Sequence, residues 1–268
     1  MSKNFDRLVE IMERLRGKEG CPWDRKQTRD SLKPFLIEEA YEVLEAIEEK
    51  DADKLKEELG DLLYQILFHA QISKEDGEFD IEDILTTSSE KMVRRHPHVF
   101  GDKKADSAEE VLKQWEAIKK EEKGEERRSI LEGVPSHLPA LLRAHQLQAR
   151  AARVGFDWEH VDQVFSKVKE EMTEFEDAFR AKDRENMESE LGDLLFALVN
   201  IGRFIEVNPE DALRKSISRF ISRFRYIEEE IARQGREWSE VSLEEMEELW
   251  QEAKVLEKQK LEDRGKYG

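Results

Sequence analysis

The sequence has little of what stabilises secreted proteins or anchors membrane proteins. Its single cysteine, Cys21, excludes an internal disulfide and suits a reducing cytoplasm. No apolar run approaches the ~20 residues that a membrane-spanning helix needs. The segment from Met1 to Arg16 has the pattern of an amphipathic helix rather than of a signal peptide. We therefore expect a cytoplasmic protein without a membrane partner.

Glycine and proline are also scarce, with 13 and 6 residues in a chain of 268. They fall at breaks, such as Gly20–Trp23, His96–His98, Gly133–Pro135 and Asn208–Pro209, between long helix-like stretches. A sustained two-residue alternation of apolar and polar side chains, which would indicate strands, is missing. These features predict an all-α protein.

Positive charge is in deficit, because the formal net charge is −18. A general nucleic-acid-binding surface is basic, so we do not expect nucleic acid as a partner. The charged content of 40% is high and the hydrophobic content of 38% is low, which is typical of amphipathic helices with solvated outer faces. An anionic substrate would need metal ions and local Lys or Arg to offset the repulsion.

What the sequence does contain is a set of five acids that occurs twice, each member 132 positions after its counterpart. In both copies an E-E-x-x-E motif is followed at the same distance by E-L-G-D-L-L. Clustered carboxylates at helical spacing are what a site for hard divalent cations requires. The two sets are Glu38, Glu39, Glu42, Glu58 and Asp61, and Glu170, Glu171, Glu174, Glu190 and Asp193.

The first motif alone carries little information, because about three copies are expected by chance in so acidic a chain. It also begins at Glu121 and Glu244, where the second motif does not follow. For the two complete sets, the alternative interpretation is a solvated helix face with salt bridges one turn apart. That alternative explains neither the repeat of the whole set nor the position of the acids beside an apolar stripe.

The apolar stripe follows the i, i+3, i+4, i+7, i+8 pattern and predicts a buried helical face. Its members are Leu59, Leu62, Leu63, Ile66 and Leu67 in the first copy, and Leu191, Leu194, Leu195, Leu198 and Val199 in the second. Acids precede stripe residues by one position, or about 100° of helical rotation, so they flank the stripe. A short link around Lys50–Lys54 predicts an antiparallel helix pair in which the carboxylates converge.

The repeat extends beyond the acids and predicts two tandem copies of a helical-bundle module. We place them at residues 1–123 and 137–268, with a linker at 124–136. In the second copy, Arg219 and Arg223, like Trp250 and Lys254, stand four residues apart, and Lys167 precedes the acids. The cations could grip phosphates and the tryptophan could stack on a base. Pairing with nearby acids and packing in a core are the alternatives.

Taken together, these segments resemble the MazG family of nucleoside triphosphate pyrophosphohydrolases over nearly the whole chain. The segments that carry the resemblance are Gly20–Asp24, Leu36–Glu42, Glu58–Leu63, Arg94–Phe100, Arg153–Trp158 and Glu190–Phe196. The resemblance implies cleavage of NTPs, with dNTPs as an open question, to NMP and pyrophosphate. It also implies dependence on Mg²⁺, for which Mn²⁺ is an expected substitute, a homodimer, and a housekeeping role in the nucleotide pool.

The resemblance further implies roles for individual residues, and it makes the second copy the main hydrolytic one. Glu171, Glu174, Glu190 and Asp193 would be magnesium ligands, with Glu39, Glu42, Glu58 and Asp61 as a second possible site. Glu170 or Glu171 would orient the attacking water or accept its proton. The nucleotide contacts would be Arg219, where the family often has Lys, together with Arg223, Trp250, Lys254 and, more weakly, Lys167.

Two other classes remain open at this point. A carboxylate-bridged di-iron bundle would normally need Glu-x-x-His pairs, which the acid helices lack at those positions. A non-catalytic acidic scaffold is the other alternative, because acidic amphipathic helices also suit partner binding.

Overall fold

The chain divides into two compact units, Met1–Gly124 and Glu125–Gly268. The computed structural model describes residues 3–122 and 129–264. Across these residues every regular element is a helix, which confirms the all-α class and the tandem helical modules. Part of the predicted linker at 124–136 lies outside the described residues, and the predicted domain limits stay predictions. Within the described ranges, no helix combines the length and the apolar character that crossing a membrane requires.

The first unit consists of a helical hairpin with further helices packed on its second arm. Helices α1 and α4 pack against α3, and α4 also contacts α6. The described helices are α1 (Lys3–Arg16), α2 (Arg29–Glu49), α3 (Ala52–Glu75), α4 (Ile81–Arg95), α5 (Pro97–Phe100) and α6 (Ala108–Glu122).

The second unit repeats the hairpin and ends in two longer helices. Helix α8 packs on α9, α7 packs on α9, and α10 contacts α7, α9 and α11. The described helices are α7 (Ala140–Ala152), α8 (Val161–Ala181), α9 (Arg184–Phe204), α10 (Pro209–Arg233) and α11 (Leu243–Arg264). Helix α4 ends before Pro97, whereas its counterpart α10 continues to Arg233.

The two hairpins are connected in the same way, by a lysine in the left-handed conformation followed by an aspartate. Lys50 and Lys182 have φ angles of 57° and 55° and end α2 and α8. The side chains of Asp51 and Asp183 then accept hydrogen bonds from backbone N–H groups in the first turn of α3 and α9. A left-handed residue reverses the chain at a helix end. This two-residue connection therefore forces the two helices of each hairpin to run antiparallel.

The predicted apolar stripes are only partly buried, which corrects the expectation of a buried face. Leu67 and Val199 are almost fully buried, whereas Leu59 is 49% exposed and Leu195 is 46% exposed. The reason is geometric, because two helices in ridge-and-groove contact cover a narrow line of each other. A stripe wider than that line needs a further partner to cover it.

Candidate active site

Each hairpin brings three of its predicted metal ligands together. The carboxylate oxygens of Glu39, Glu58 and Asp61 come within 4.8 Å of one another between α2 and α3. In the second unit, the same criterion groups Glu171, Glu174 and Glu190 between α8 and α9. The convergence follows from antiparallel packing of helices that carry their acids beside the shared apolar seam.

The fourth predicted ligand at each hairpin, Glu42 or Asp193, is not part of the group of three. Desolvation, and then the charge of Glu42, raises the pKa of Glu58, so Glu42 lies within electrostatic range of the first group. Asp193 lines a cavity together with Glu171. All four predicted ligands of each set therefore lie at one hairpin, and their role as metal ligands stays a prediction.

Proximity of the acids makes the sites electrostatically costly. Desolvation raises the pKa of Glu174, and the carboxylates of Glu171 and Glu190 raise it further. In the first unit, desolvation and then the charge of Asp61 raise the pKa of Glu39. Negative charges that repel one another across a small gap favour a cation between them. The electrostatics of both groups therefore suit a divalent metal ion.

Lys167 forms ion pairs at the second acid group. Its ammonium group lies 2.7 Å from Glu170 Oε1 and 2.6 Å from Glu171 Oε1. The hydrogen bonds that Lys167 donates to these two carboxylates raise its pKa above the ordinary value. Glu170 is exposed, whereas Glu171 is only 5% exposed and needs a compensating charge. Lys167 thus neutralises the most buried acid of the site.

A cavity of about 630 Å³ adjoins the second acid group. Small-molecule sites typically measure ~300–1,000 Å³. The carboxylates of Glu171 and Asp193 and the side chain of Lys167 share its walls with apolar residues. The remaining wall residues come from α7, α9 and the loops beside them, and include Gln148, Phe156, Asp157, Trp158, Phe196, Ala197, Asn200 and Arg203.

Sequence reasoning did not assign Gln148, Asn200 or Arg203 to the site. They lie near one another because α7 packs on α9, and the Gln148 amide donates to the Phe196 carbonyl oxygen at 2.8 Å across 48 residues of chain. One signal was present, because Arg203 aligns with Gln71 at the 132-residue offset. A charged residue in one copy where the other has a neutral one indicates that the surroundings of that position differ between the copies.

Of the residues predicted to contact nucleotide, Lys167 lines the cavity, whereas the other four lie on α10 and α11. The Arg223 guanidinium lies 5.4 Å from the centre of the Trp250 ring and donates from Nε to Glu257 Oε2 at 2.8 Å. Arg219 lies on the same helix and Lys254 on α11, both with exposed side chains. These four described residues are not among those that line the cavity. Their contact with nucleotide stays a prediction.

In the first unit, larger side chains stand at the positions that surround the cavity in the second. At the 132-residue offset, the counterparts of Lys167 and Asn200 are Phe35 and Phe68. Phe68 is 1% exposed and forms a core cluster against which Phe35 packs. Gln65, the counterpart of Ala197, is also buried, and its amide lies 3.5 Å from Glu39 Oε1.

Comparison with known proteins identifies the family. A model described as the MazG nucleotide pyrophosphohydrolase domain matches the chain twice, at residues 27–100 and 160–227. A protein of Thermotoga maritima named nucleoside triphosphate pyrophosphohydrolase/pyrophosphatase MazG is 50% identical over 250 residues, 93% of this chain and 95% of the relative. The chain belongs to the MazG family. A nucleoside triphosphate pyrophosphohydrolase of Escherichia coli is 48% identical over 257 residues, 94% of this chain and 98% of that protein.

The resemblance inferred from the motifs is thus confirmed. A crystal structure described as a mazG-related protein from Thermotoga maritima is 37% identical, with a TM-score of 0.38, over 43% of this chain and 98% of that one. The two MazG matches contain both acid hairpins, whereas Gln148, Phe156 and Trp158 precede the second match. The MazG motifs therefore locate the acids but not the part of the cavity wall formed by α7 and the loop after it.

Proposed function

We propose that the protein hydrolyses nucleoside triphosphates to nucleoside monophosphates and pyrophosphate at the acid group of α8 and α9, in a Mg²⁺-dependent reaction. The observation that carries the proposal is the cavity, which Glu171 of this group lines together with Asp193 and Lys167. Membership of the MazG family supports the reaction class. The expected role is housekeeping of the cytoplasmic nucleotide pool, with dNTPs as further substrates to be tested.

The second acid group fits a magnesium ion. Oxygen ligands at ~2.1 Å from an octahedral Mg²⁺ lie about 3–4 Å from one another. The oxygens of Glu171, Glu174 and Glu190 already lie within 4.8 Å of one another, so small side-chain rotations would suffice. With Asp193 beside them, the donors are all carboxylates, as hard divalent ions prefer. Mn²⁺ accepts the same oxygen ligands and is the expected substitute.

Magnesium is required for binding as well as for chemistry, because an NTP and the four acids are both strongly negative. When bound, Mg²⁺ supplies Lewis acidity that polarises the phosphate oxygens and lowers the pKa of a coordinated water. Glu171, Glu174, Glu190 and Asp193 are the residues that would hold it. With the Glu171 charge compensated in this way, Lys167 would be available to bind phosphate.

The chain's own residues supply proton transfer and charge neutralisation. Glu170 or Glu171 accepts the proton of a water whose oxygen bonds to the α-phosphorus. The bond from the α-phosphorus to the bridging oxygen then breaks, and pyrophosphate leaves. Arg219, Arg223 and Lys254 are the predicted cations that stabilise the developing charge on pyrophosphate.

We also propose a homodimer, supported by the apolar side chains left exposed on α9 and α10. Large contiguous apolar surfaces on a single chain usually mark an interaction site. Light scattering on the purified protein should give twice the 31.6 kDa chain mass, and a monomer at micromolar concentration would contradict the proposal. The residues concerned, each 46% or more exposed, are Leu191, Leu195, Leu198, Ile217, Phe220 and Ile221.

The reaction is tested by identifying both products from ATP with and without Mg²⁺. AMP and pyrophosphate are expected, and ADP with phosphate would contradict the assignment. Turnover should stop in a chelator and return with Mg²⁺ or Mn²⁺. A protein that neither turns over ATP nor binds Mg²⁺ in calorimetry would instead support the scaffold alternative.

The location is tested by matched double variants at the 132-residue offset. Glu174→Ala with Asp193→Ala should lower kcat at least a hundredfold, because losing two metal ligands removes several kcal/mol of transition-state stabilisation, roughly a factor of ten for each 1.4 kcal/mol. The control, Glu42→Ala with Asp61→Ala, should leave kcat within about twofold. The reverse result would move the site to the first unit.

A further inference from the structure

Gln148 carries a buried hydrogen-bond acceptor that lacks a donor within the described part of the chain. The side chain is 8% exposed, and its Nε2 donates to the Phe196 carbonyl oxygen at 2.8 Å. That bond determines which end of the amide is nitrogen, because a carbonyl can only accept. The Oε1 atom is left buried and unpartnered. Such atoms are rare in proteins, since desolvating an acceptor without a bond costs free energy.

The surroundings of Gln148 suit a flat heteroaromatic ring. It lines the same cavity as Phe156, Trp158 and Phe196, and aromatic side chains stack favourably on nucleobases. Phe156 is 83% exposed, so its ring is accessible to a ligand in the cavity. The cavity therefore combines apolar stacking surfaces with a buried acceptor.

A donor complements this acceptor in the same cavity wall. Asn200 Oδ1 accepts from Arg203 Nε at 3.0 Å and from Arg203 Nη2 at 2.8 Å. Arg203 is itself held by Asp157, to which Nη1 donates at 2.9 Å. Because the amide oxygen faces the guanidinium, the Asn200 NH₂ group is directed away from it. Gln148 and Asn200 thus offer an acceptor and a donor, the two groups that the edge of a base can pair with.

We infer that this cavity binds the nucleobase of the triphosphate, with an N–H group of the base donating to Gln148 Oε1. The inference rests on the proposed function and specifies how the same site holds its substrate. Adenine, cytosine and guanine carry exocyclic amino groups, and uracil and thymine carry a ring N–H. A single acceptor can therefore serve every standard base. The contact requires an N–H on the base without selecting one base from another.

The experiment compares ATP with purine riboside triphosphate, which lacks the amino group and has no N–H on the base edge. The variant Gln148→Leu removes the acceptor at similar side-chain volume. Gln146→Leu is the control, since Gln146 lies on the same helix and does not line the cavity. Pyrophosphate release gives KM and kcat for both substrates, and calorimetric titration of the same proteins gives Kd.

For ATP, Gln148→Leu should raise KM and Kd roughly fivefold, the loss of about one hydrogen bond, with kcat changed less than about twofold. For purine riboside triphosphate, the same variant should leave both constants within about twofold. The wild-type protein should itself bind ATP more tightly than the analogue, a comparison that does not depend on any variant folding. Gln146→Leu should resemble the wild type with both substrates.

Equal weakening of both substrates by Gln148→Leu would show a structural role and overturn the inference, as would unchanged ATP affinity. A wild-type protein that binds ATP and the analogue equally would also overturn it. If the wild-type protein released no pyrophosphate, the proposed reaction would fail, and the Kd values would still decide between these outcomes. Failure of the base contact is thus distinguishable from failure of the reaction.

Discussion

The α2–α3 and α8–α9 hairpins carry the same five acids and the same Lys-Asp connection, but they differ in the side chains beside those acids. The second hairpin has Lys167 and Asn200 at the positions where the first has Phe35 and Phe68. It has Ala197 at the position of Gln65. The aromatic side chains of the first hairpin join the core of their unit. The smaller or polar side chains of the second leave a cavity that opens onto the acids.

The same contrast extends to the helix that packs on each hairpin. Arg16, which stands 132 positions before Gln148, bonds to the Asp24 carbonyl oxygen at 2.6 Å and to Glu75 at 2.6 Å. Its guanidinium also lies 5.4 Å from the centre of the Phe68 ring. The guanidinium of Arg16 therefore bonds to groups of its own unit, whereas the Oε1 atom of Gln148 has no donor within the described residues. Two copies of one module can therefore carry the same acids while the space beside them is core in one copy and a cavity in the other.

The largest expected difference between the units is in the free energy of unfolding, at the position occupied by Phe68 in the first unit and by Asn200 in the second. Phe68→Ala should lower the free energy of unfolding of the first unit by about 3–5 kcal/mol, because it leaves a cavity in a packed core. The matched change Asn200→Ala should cost the second unit about 1 kcal/mol, since it removes hydrogen bonds at an existing cavity. Amide hydrogen exchange in α3 and α9 reports each unit separately. Equal losses would contradict the contrast between core and cavity.

A smaller effect is expected at Arg16. Arg16→Gln gives the first unit the residue that the second has at Gln148. It should lower the free energy of unfolding of the first unit by about 2 kcal/mol, because charged hydrogen bonds are lost. Arg14→Gln, at an exposed position of the same helix, is the control and should stay within ~0.5 kcal/mol of the wild type. Exchange protection of α1 and α3 is the measurement. If both variants behaved alike, Arg16 would have no special structural role.

The smallest effect is a difference in acid sensitivity. The hydrogen bond from Arg16 lowers the pKa of Glu75 below the ordinary value of 4.5, and the counterpart of Glu75 in the second unit is Val207. A lowered folded-state pKa stabilises the protein above pH 4.5, and this stability is lost as pH falls through the folded value. Protection of α3 should therefore fall on acidification below about pH 4.5.

Glu75→Gln removes the titrating group and provides the comparison for this pH effect. Protection of α3 in this variant should be lower at neutral pH and should depend less on pH than in the wild type. Protection of α9 should respond to pH in the same way in both proteins. A variant with the wild-type pH profile would show that another carboxyl group is responsible.

The acids could be predicted because their convergence depends on local rules. Glu171 and Glu174 are neighbours on one helix face, and the connection at Lys182 and Asp183 returns the chain beside them. The predicted burial of Leu59 and Leu195 was wrong, because burial depends on how many partners cover a helix face. Periodicity gives the width of an apolar stripe but not the number of elements that pack on it.

The sequence by itself determined the helices, the duplicated acids and the antiparallel hairpins, because helical periodicity, capping and short connections act over a few residues. Only the tertiary structure decided what stands beside each acid group. Gln148 reaches Phe196 across 48 residues through the packing of α7 on α9. Whether the space beside an acid group is core or cavity depends on the volumes of side chains from three helices. Those side chains meet only when the helices pack, so the sequence alone does not show how they fill the space.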